Sequence, residues 1–229
     1  MLKYILVIVA YLLGSIPFSY LLGRFVKKDD IRKHGSGNIG TTNAYRVYGK
    51  IIGTLVLILD TLKGGLIVVL LDNGLILSNL DLFHPLVYGF AAVLGHVFPV
   101  WFKFKGGKGV ATSFGLLLGY APFMALAILP TFIIIELSTR YVSIASVVSS
   151  VIGFYCGLAM YVGSLNGSKF AHYDLTFVII LFLSVVLIFW RHKTNFHRVR
   201  QGTENKIKFD ISTRIKEFQD HIHHKEETK

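Results

Sequence analysis

Six long apolar runs constrain this chain more than any other feature of its sequence. They cover Leu2–Gly23, Ile51–Leu71, Phe83–Phe102, Val110–Glu136, Tyr141–Gly163 and Tyr173–Trp190. A helix of about 20 apolar residues crosses the hydrocarbon core of a bilayer, and each run has close to that length or more. Only 16% of the residues are charged, against about 25% in soluble domains. The runs therefore predict an all-α integral membrane protein.

The basic residues are unevenly distributed between these runs. They concentrate in Arg24–Lys50, in Lys103–Lys108 and in the tail from Arg191, whereas Asp72–Leu82 holds no Lys or Arg. Because Lys and Arg are enriched in cytoplasmic loops, we expect the basic segments to face the cytoplasm. The net charge of +11 alone would also suit a nucleic-acid partner, but the apolar runs favour a membrane, so no nucleic acid is expected.

The run Val110–Glu136 decides how many spans the chain has. If it crosses the membrane once, Arg140 and the basic tail lie outside, against the charge rule. Gly and Pro within Gly119–Pro122 can turn the chain and split the run into two helices of about a dozen residues, each near 18 Å long. We therefore predict seven transmembrane helices, the fourth and fifth short, with the N-terminus outside and the C-terminus cytoplasmic. Residues 1–204 form one membrane-embedded domain, and residues 205–229 a polar, mobile tail.

A glycine-rich polar segment, residues 35–46, follows the first apolar run. Glycines reach positive φ, and consecutive backbone N–H groups can form an anion-binding nest. Arg46 adds a guanidinium that fits phosphate oxygens. Gly35–Gly40 matches the dinucleotide pattern G-x-G-x-x-G, but the βαβ unit that such a site needs is missing. The segment predicts phosphate binding at the membrane face; the alternative is a tight interfacial loop without a ligand.

Two later polar segments have the same character. Lys105 and Lys108 flank two glycines just before an apolar run, where a helix N-terminus would add to the attraction for an anion. The alternative is anchoring by snorkelling lysines, which explains Lys103 well. Further on, His192 and Asn195 are three residues apart and would share one face of a helix.

The ionisable residues inside the apolar runs need a separate interpretation. Asp60 and Lys63 are expensive at membrane depth, and their i,i+3 spacing favours a mutual ion pair over direct catalysis. His96, near a helix end, is interpreted as structural. The sequence has no zinc-ligand spacing and no G-x-S-x-G elbow, so no metal is expected. An enzyme built this way would act on an already activated substrate by positioning it and stabilising charge.

Four motifs in order resemble the bacterial membrane acyl-phosphate:glycerol-3-phosphate acyltransferase family. They are residues 35–43, Gly95-His96 with residues 104–112, residues 140–143, and Arg191-His192 with Asn195. The resemblance runs from the first apolar run to about Glu204 and excludes the tail. Thr41 stands where members of the family often carry Ala, a change that should not disturb a nest.

The resemblance implies an enzyme of the bacterial inner membrane with its active site facing the cytoplasm. It would transfer a fatty acyl group from acyl phosphate to the 1-hydroxyl of glycerol 3-phosphate, giving lysophosphatidic acid and phosphate. No cofactor is implied, and neither acyl carrier protein nor coenzyme A is the direct donor. The expected catalytic residues are Ser36, Arg46, Lys108, His192 and Asn195. The expected substrate-binding residues are Gly37, Asn38, Gly40, Thr41, Thr42, Asn43, Lys105, Gly106, Gly107, Ser143 and Glu204.

Two other functions would use similar features. A transporter of a phosphorylated or anionic solute would share the helices and the basic pocket, although transporter sites usually lie near the midplane, often between repeated halves. A non-catalytic binder of anionic lipids would need only clustered Lys and Arg, which leaves the Ser, Asn and Gly placements unexplained.

Overall fold

The computed structural model describes residues 1–77, 80–166 and 173–207, and within these ranges all regular secondary structure is helical. Most of the predicted tail, residues 208–229, lies outside the described residues. The helices are α1 (Leu2–Gly14), α2 (Phe18–Leu22), α3 (Thr41–Asp72), α4 (Pro85–Val97), α5 (Val110–Tyr120), α6 (Pro122–Thr139), α7 (Val142–Leu165), α8 (Leu175–Arg191) and α9 (Lys193–Arg200). Short π or 3-10 turns cover Gly23–Lys27, Ile31–Lys33 and Val100–Phe102. The all-α prediction is confirmed.

Length and composition identify the helices that can span a bilayer. Among the described residues, four are long and apolar enough: Thr41–Asp72, Pro85–Phe102, Pro122–Thr139 and Val142–Leu165. The second of these is α4 together with the short turn that follows it. Two further spans arise if each of two bent pairs counts as one, namely Leu2–Gly14 with Phe18–Lys27 and Leu175–Arg191 with Lys193–Arg200, bent by 42° and 47°. The number of spans by this measure is four to six, and α5 is a shorter apolar helix.

The predicted break in the run Val110–Glu136 is present, between α5 and α6. The fourth apolar helix, α5, is short at 11 residues, as expected. The expectation of a short fifth helix is wrong, since α6 has 18 residues and extends past Glu136. Pro130 lies inside α6 without ending it. Membrane helices tolerate an internal proline. The helix ends only where Arg140 adopts a left-handed conformation, with φ 62°.

The second apolar helix begins ten residues earlier than its apolar run. Helix α3 starts at Thr41, in the polar segment, and bends where Gly49 takes φ 81° and ψ −174°. No heavy atom would lie within 4 Å of a side chain at Gly49, so the backbone angle alone requires glycine there. The predicted phosphate segment is therefore half loop and half helix start.

Glycines bring α3 and α5 into close backbone contact. A Cβ atom at Gly64 would overlap the carbonyl oxygen of Thr112, and a Cβ at Gly115 would overlap that of Thr61. Small residues at membrane helix interfaces permit such close approach. We call these two glycines the α3–α5 seam. The seam fixes α5 against α3, and it therefore fixes the start of α5 near the polar segment.

Candidate active site

Asn43 organises the loop that precedes α3. Its side-chain Nδ2 donates to the carbonyl oxygens of Ile31, His34 and Asn38 at 3.4, 3.1 and 2.9 Å, and its Oδ1 accepts the Ser36 N–H at 2.9 Å. The residue is only 2% exposed. Asn43 was predicted to bind substrate, but in this structure both ends of its amide hold the loop instead.

The glycine turns before α3 use several of their backbone N–H groups within the protein. Gly35 and Gly37 have positive φ of 60° and 69°, as expected. However, the N–H groups of Ser36, Gly37 and Gly40 are taken by acceptors in the loop and in the first turn of α3, at 2.8–3.0 Å. The nest prediction is therefore wrong for these three groups.

Open N–H groups occur instead at the start of α3. Its N-cap residue, Gly40, provides no side-chain cap, so the first-turn N–H groups at Thr41 and Thr42 have no intrahelical partner. The Oγ1 of Thr41 is buried and also without a partner. One turn later, Arg46 is exposed. An uncapped N-terminus with a nearby guanidinium is a suitable place for a phosphate.

The carbonyl groups of Gly106 and Gly107 join three parts of the site. Arg191 donates from Nη2 to the Gly106 oxygen at 2.9 Å and from Nε to the Gly107 oxygen at 3.2 Å. Asn38 Nδ2 lies 3.5 Å from the same Gly106 oxygen. We call Gly106 and Gly107 the hub. Arg191 was part of a recognised motif, but its side chain was not among the predicted site residues.

A chain of polar contacts links the starts of α5, α7 and α9. Lys108 Nζ donates to Asn195 Oδ1 at 2.6 Å, and Asn195 Nδ2 donates to Glu204 Oε1 at 2.6 Å. Arg198 Nε pairs with Glu204 Oε2 at 2.7 Å, and Ser143 Oγ lies 3.4 Å from Glu204 Oε1. Asn195 thus positions the Lys108 ammonium, and Glu204 holds Asn195.

The site is strongly cationic, and this changes the acidity of its groups. The pKa of Lys108 is lowered to about 8, mainly by burial; Glu204 opposes this shift, while Arg198, Arg191 and Arg46 contribute to it. Burial would raise the pKa of Glu204, but hydrogen bonds from Asn195 and Arg198 hold it below its usual value. Several cations thus act on one ammonium group, which a phosphate dianion would stabilise.

The remaining predicted residues occupy different positions around this centre. His192 is 2% exposed, and its Nδ1 lies 2.8 Å from the Ile188 carbonyl oxygen. Among the described residues, the side chains of Ser36, Thr42, Arg46 and Lys105 are exposed and make no hydrogen bond or ion pair. The four predicted segments nevertheless meet at one end of the bundle, through Asn38, the hub, Lys108, Asn195, Glu204 and Ser143.

The described part of the chain contains no group of three His, Cys, Asp or Glu placed to hold a metal ion. The polar side chains gathered at the site carry ammonium, guanidinium, amide and hydroxyl groups, together with the Glu204 carboxylate. Such groups bind anions and orient hydroxyls.

Comparison with known proteins agrees with this chemistry. A family model described as glycerol-3-phosphate acyltransferase matches residues 4–202. A glycerol-3-phosphate acyltransferase of Bacillus cytotoxicus is 42% identical over 207 residues, which cover 90% of this chain and 96% of that relative. The enzyme of the same description from Bacillus subtilis strain 168 is 42% identical over 209 residues, covering 91% and 100%.

Solved structures extend the similarity to the fold. A crystal structure of PlsY (YgiH), an integral membrane glycerol 3-phosphate acyltransferase, in its glycerol 3-phosphate form aligns with a TM-score of 0.78 and 36% identity, covering 91% of this chain and 96% of that one. Its lysophosphatidic acid form aligns with a TM-score of 0.76. The matched range contains nearly all of the residues that meet at the candidate site. The chain therefore belongs to the glycerol-3-phosphate acyltransferase family.

Proposed function

We propose that this protein transfers a fatty acyl group from acyl phosphate to the 1-hydroxyl of glycerol 3-phosphate, giving lysophosphatidic acid and phosphate for phospholipid synthesis. The supporting observation is that two uncapped helix N-termini, those of α3 and α5, belong to one cationic site. The contact between Asn38 and the hub joins the loop before α3 to the loop before α5. Two phosphorylated substrates that must react with each other need two adjacent anion sites.

Each anion site is assigned by the groups that surround it. The start of α3 would hold the acyl-phosphate head through the open N–H groups of Thr41 and Thr42, with Gly40 beside them. The start of α5, with Lys108, would hold the phosphate of glycerol 3-phosphate, and Arg46 and Ser36 would lie beside it. The acyl tail extends among the helices in lipid. No cofactor enters the reaction, and neither acyl carrier protein nor coenzyme A acts as the direct donor.

The chemistry needs little from the protein beyond positioning and charge. The 1-hydroxyl oxygen attacks the carbonyl carbon of the acyl phosphate, and the carbon–oxygen bond to phosphate then breaks. The departing phosphate accepts the proton of the attacking hydroxyl, so the products are lysophosphatidic acid and hydrogen phosphate. Cations around both phosphates stabilise the charge that develops. This substrate-assisted route accounts for the absence of an evident protein base in the sequence.

Replacing His192 tests this route. Because the leaving phosphate takes the proton, we expect His192→Ala to lower kcat by about a hundredfold through lost positioning. The measurement is turnover at saturating concentrations of both substrates, with elution profile and thermal unfolding confirming the fold. A loss of about 10⁴-fold or more in a folded variant would identify His192 as a protein base instead.

The proposed orientation is seven membrane helices with the N-terminus outside and the site at the cytoplasmic face of the bacterial inner membrane. The basic segments before α3 and α5 support it. Helix α5 would be about 17 Å long, so the bilayer must thin there or α5 must cross it only partly. Labelling a cysteine introduced at Lys103 or at Asn73 with a membrane-impermeant reagent in intact cells tests it; only the Asn73 position should react.

The deciding experiment uses the purified protein in lipid vesicles with acyl phosphate and labelled glycerol 3-phosphate. We expect labelled lysophosphatidic acid and one phosphate for each product molecule. Acyl coenzyme A and acylated carrier protein serve as comparison donors and should give no product. Product formed only from those donors would refute the proposed donor, and uptake of label without acyl product would indicate a transporter.

A further inference from the structure

Three ionisable side chains are buried together beneath the site. Lys63 Nζ lies 2.8 Å from Asp60 Oδ1, which confirms the predicted i,i+3 ion pair. His96 Nδ1, from α4, lies 3.6 Å from the same oxygen. Lys63 also donates to the Ile16 carbonyl oxygen at 3.0 Å. Asp60 is 2% exposed, His96 is 7% exposed, and Asp60 Oδ2 has no hydrogen-bond partner.

Charge neutralisation alone does not explain this cluster. An ion pair buried in a membrane protein is costly, and well-packed apolar residues would avoid that cost. A buried polar group is better explained when it holds something in a defined place. The members of the cluster come from two helices, α3 and α4, and His96 stands at the end of α4 that leads to the site loop.

His96 is in direct contact with the hub. A Cβ atom at Gly107 would overlap Nε2 of the His96 ring, so the Gly107 backbone lies against the imidazole. The Gly107 N–H also donates to the His96 carbonyl oxygen at 3.1 Å. One nitrogen of the ring thus faces Asp60 and the other faces the hub.

The hub in turn determines where two cations of the site lie. Its carbonyl oxygens accept both hydrogen bonds of the Arg191 guanidinium, and Lys108 is the next residue in the chain. We propose that Asp60 and Lys63 fix the orientation of the His96 ring, and that His96 positions the hub and thereby Arg191 and Lys108. The three are positioning residues, because they act through the hub rather than on the substrate.

The inference rests on the proposed function of the site, where Lys108 holds glycerol 3-phosphate. We therefore expect changes in this cluster to weaken the binding of one substrate more than that of the other. A hub that has shifted should weaken glycerol 3-phosphate binding at the start of α5. It should leave acyl-phosphate binding at the start of α3 nearly unchanged.

The test compares three variants of the full chain in lipid vesicles. His96→Ala removes the contact with the hub. The double variant Asp60→Asn with Lys63→Met removes both charges at once, so that no unpaired charge stays buried. The triple variant combines all three changes. Glu136→Gln is the matched control, since Glu136 is also a carboxylate on an apolar helix and has no ion pair among the residues that the structure describes.

We expect His96→Ala and the double variant each to raise KM for glycerol 3-phosphate by about tenfold, since small misplacements in a site have large effects. KM for acyl phosphate should change less than about twofold. The triple variant should have a KM for glycerol 3-phosphate no higher than that of His96→Ala or of the double variant, because the effects of linked residues are not additive. Glu136→Gln should have the same KM values for glycerol 3-phosphate and for acyl phosphate as the unmodified protein.

Three results would overturn the proposal. A double variant with unchanged KM for glycerol 3-phosphate would mean that the ion pair only balances charge. Losses that multiply in the triple variant would mean that His96 and the pair act independently. Equal changes in both KM values, accompanied by a lower unfolding temperature, would mean a general structural role. Failure of the proposed function is distinguishable, because the unmodified protein would then form no product from acyl phosphate.

Discussion

Replacing Lys108 by methionine should lower kcat/KM for glycerol 3-phosphate by about a thousandfold, since one lost donor at a developing charge already costs 10²–10³-fold. Methionine keeps much of the apolar stem and removes the ammonium that Asn195 orients at 2.6 Å. The measurement is initial rate against glycerol 3-phosphate concentration at saturating acyl phosphate.

Lys103→Met is the matched control for this prediction. Lys103 belongs to the same loop, is exposed, and its side chain makes no hydrogen bond or ion pair among the described residues. Its removal should change kcat/KM by less than about twofold, as expected for a membrane-anchoring lysine. Equal losses in the two variants would mean that the loop contributes general positive charge and that Lys108 has no specific position.

The ionisation of Lys108 predicts that kcat/KM for glycerol 3-phosphate depends on pH. The pKa of Lys108 is lowered by burial to about 8, so the ammonium is charged below this pH and neutral above it. Since kcat/KM reports the ionisation of the free enzyme, it should fall as pH rises through about 8, after subtraction of spontaneous acyl-phosphate hydrolysis. Arginine stays charged throughout this range, so in the Lys108→Arg variant the fall in kcat/KM should move to higher pH. If the fall stays at the same pH, it is caused by the ionisation of a group other than Lys108.

Replacing Gly115 by alanine should have the largest effect on stability. The added Cβ would overlap the Thr61 carbonyl oxygen across the α3–α5 seam. Because this neighbour is backbone, the two helices must separate, and the free energy of unfolding should fall by about 3 kcal/mol, the upper part of the usual range for overpacking. Thermal unfolding in detergent and the yield of monodisperse protein measure the effect.

Gly153→Ala provides the comparison within another membrane helix. Its added Cβ would meet only the terminal Cδ1 atom of Ile128, at 3.0 Å, which can move aside. We expect a change in unfolding temperature close to zero for this variant. If Gly115→Ala proved equally mild, the close packing of α3 against α5 would not be required for folding.

The sequence by itself was sufficient for the features that depend on local patterns. Apolar runs of membrane length predicted the all-helical fold, since backbone groups in lipid must be satisfied within a helix. Gly119–Pro122 predicted the break before α6, and the four polar motifs indicated the family. The length of α6 was not predicted, because the helix continues past Glu136, the last residue of the apolar run, and ends only at the left-handed Arg140.

Only the tertiary structure decided how the motifs act on one another. It engaged the N–H groups of the glycine turns in the loop itself, left the start of α3 open, and brought Arg191 to the hub and His96 to Asp60. These residues are far apart in the chain, so their contacts depend on how closely α3, α4 and α5 pack. Local residue patterns record which face of a helix is apolar, but they do not record which side chains meet when several helices assemble.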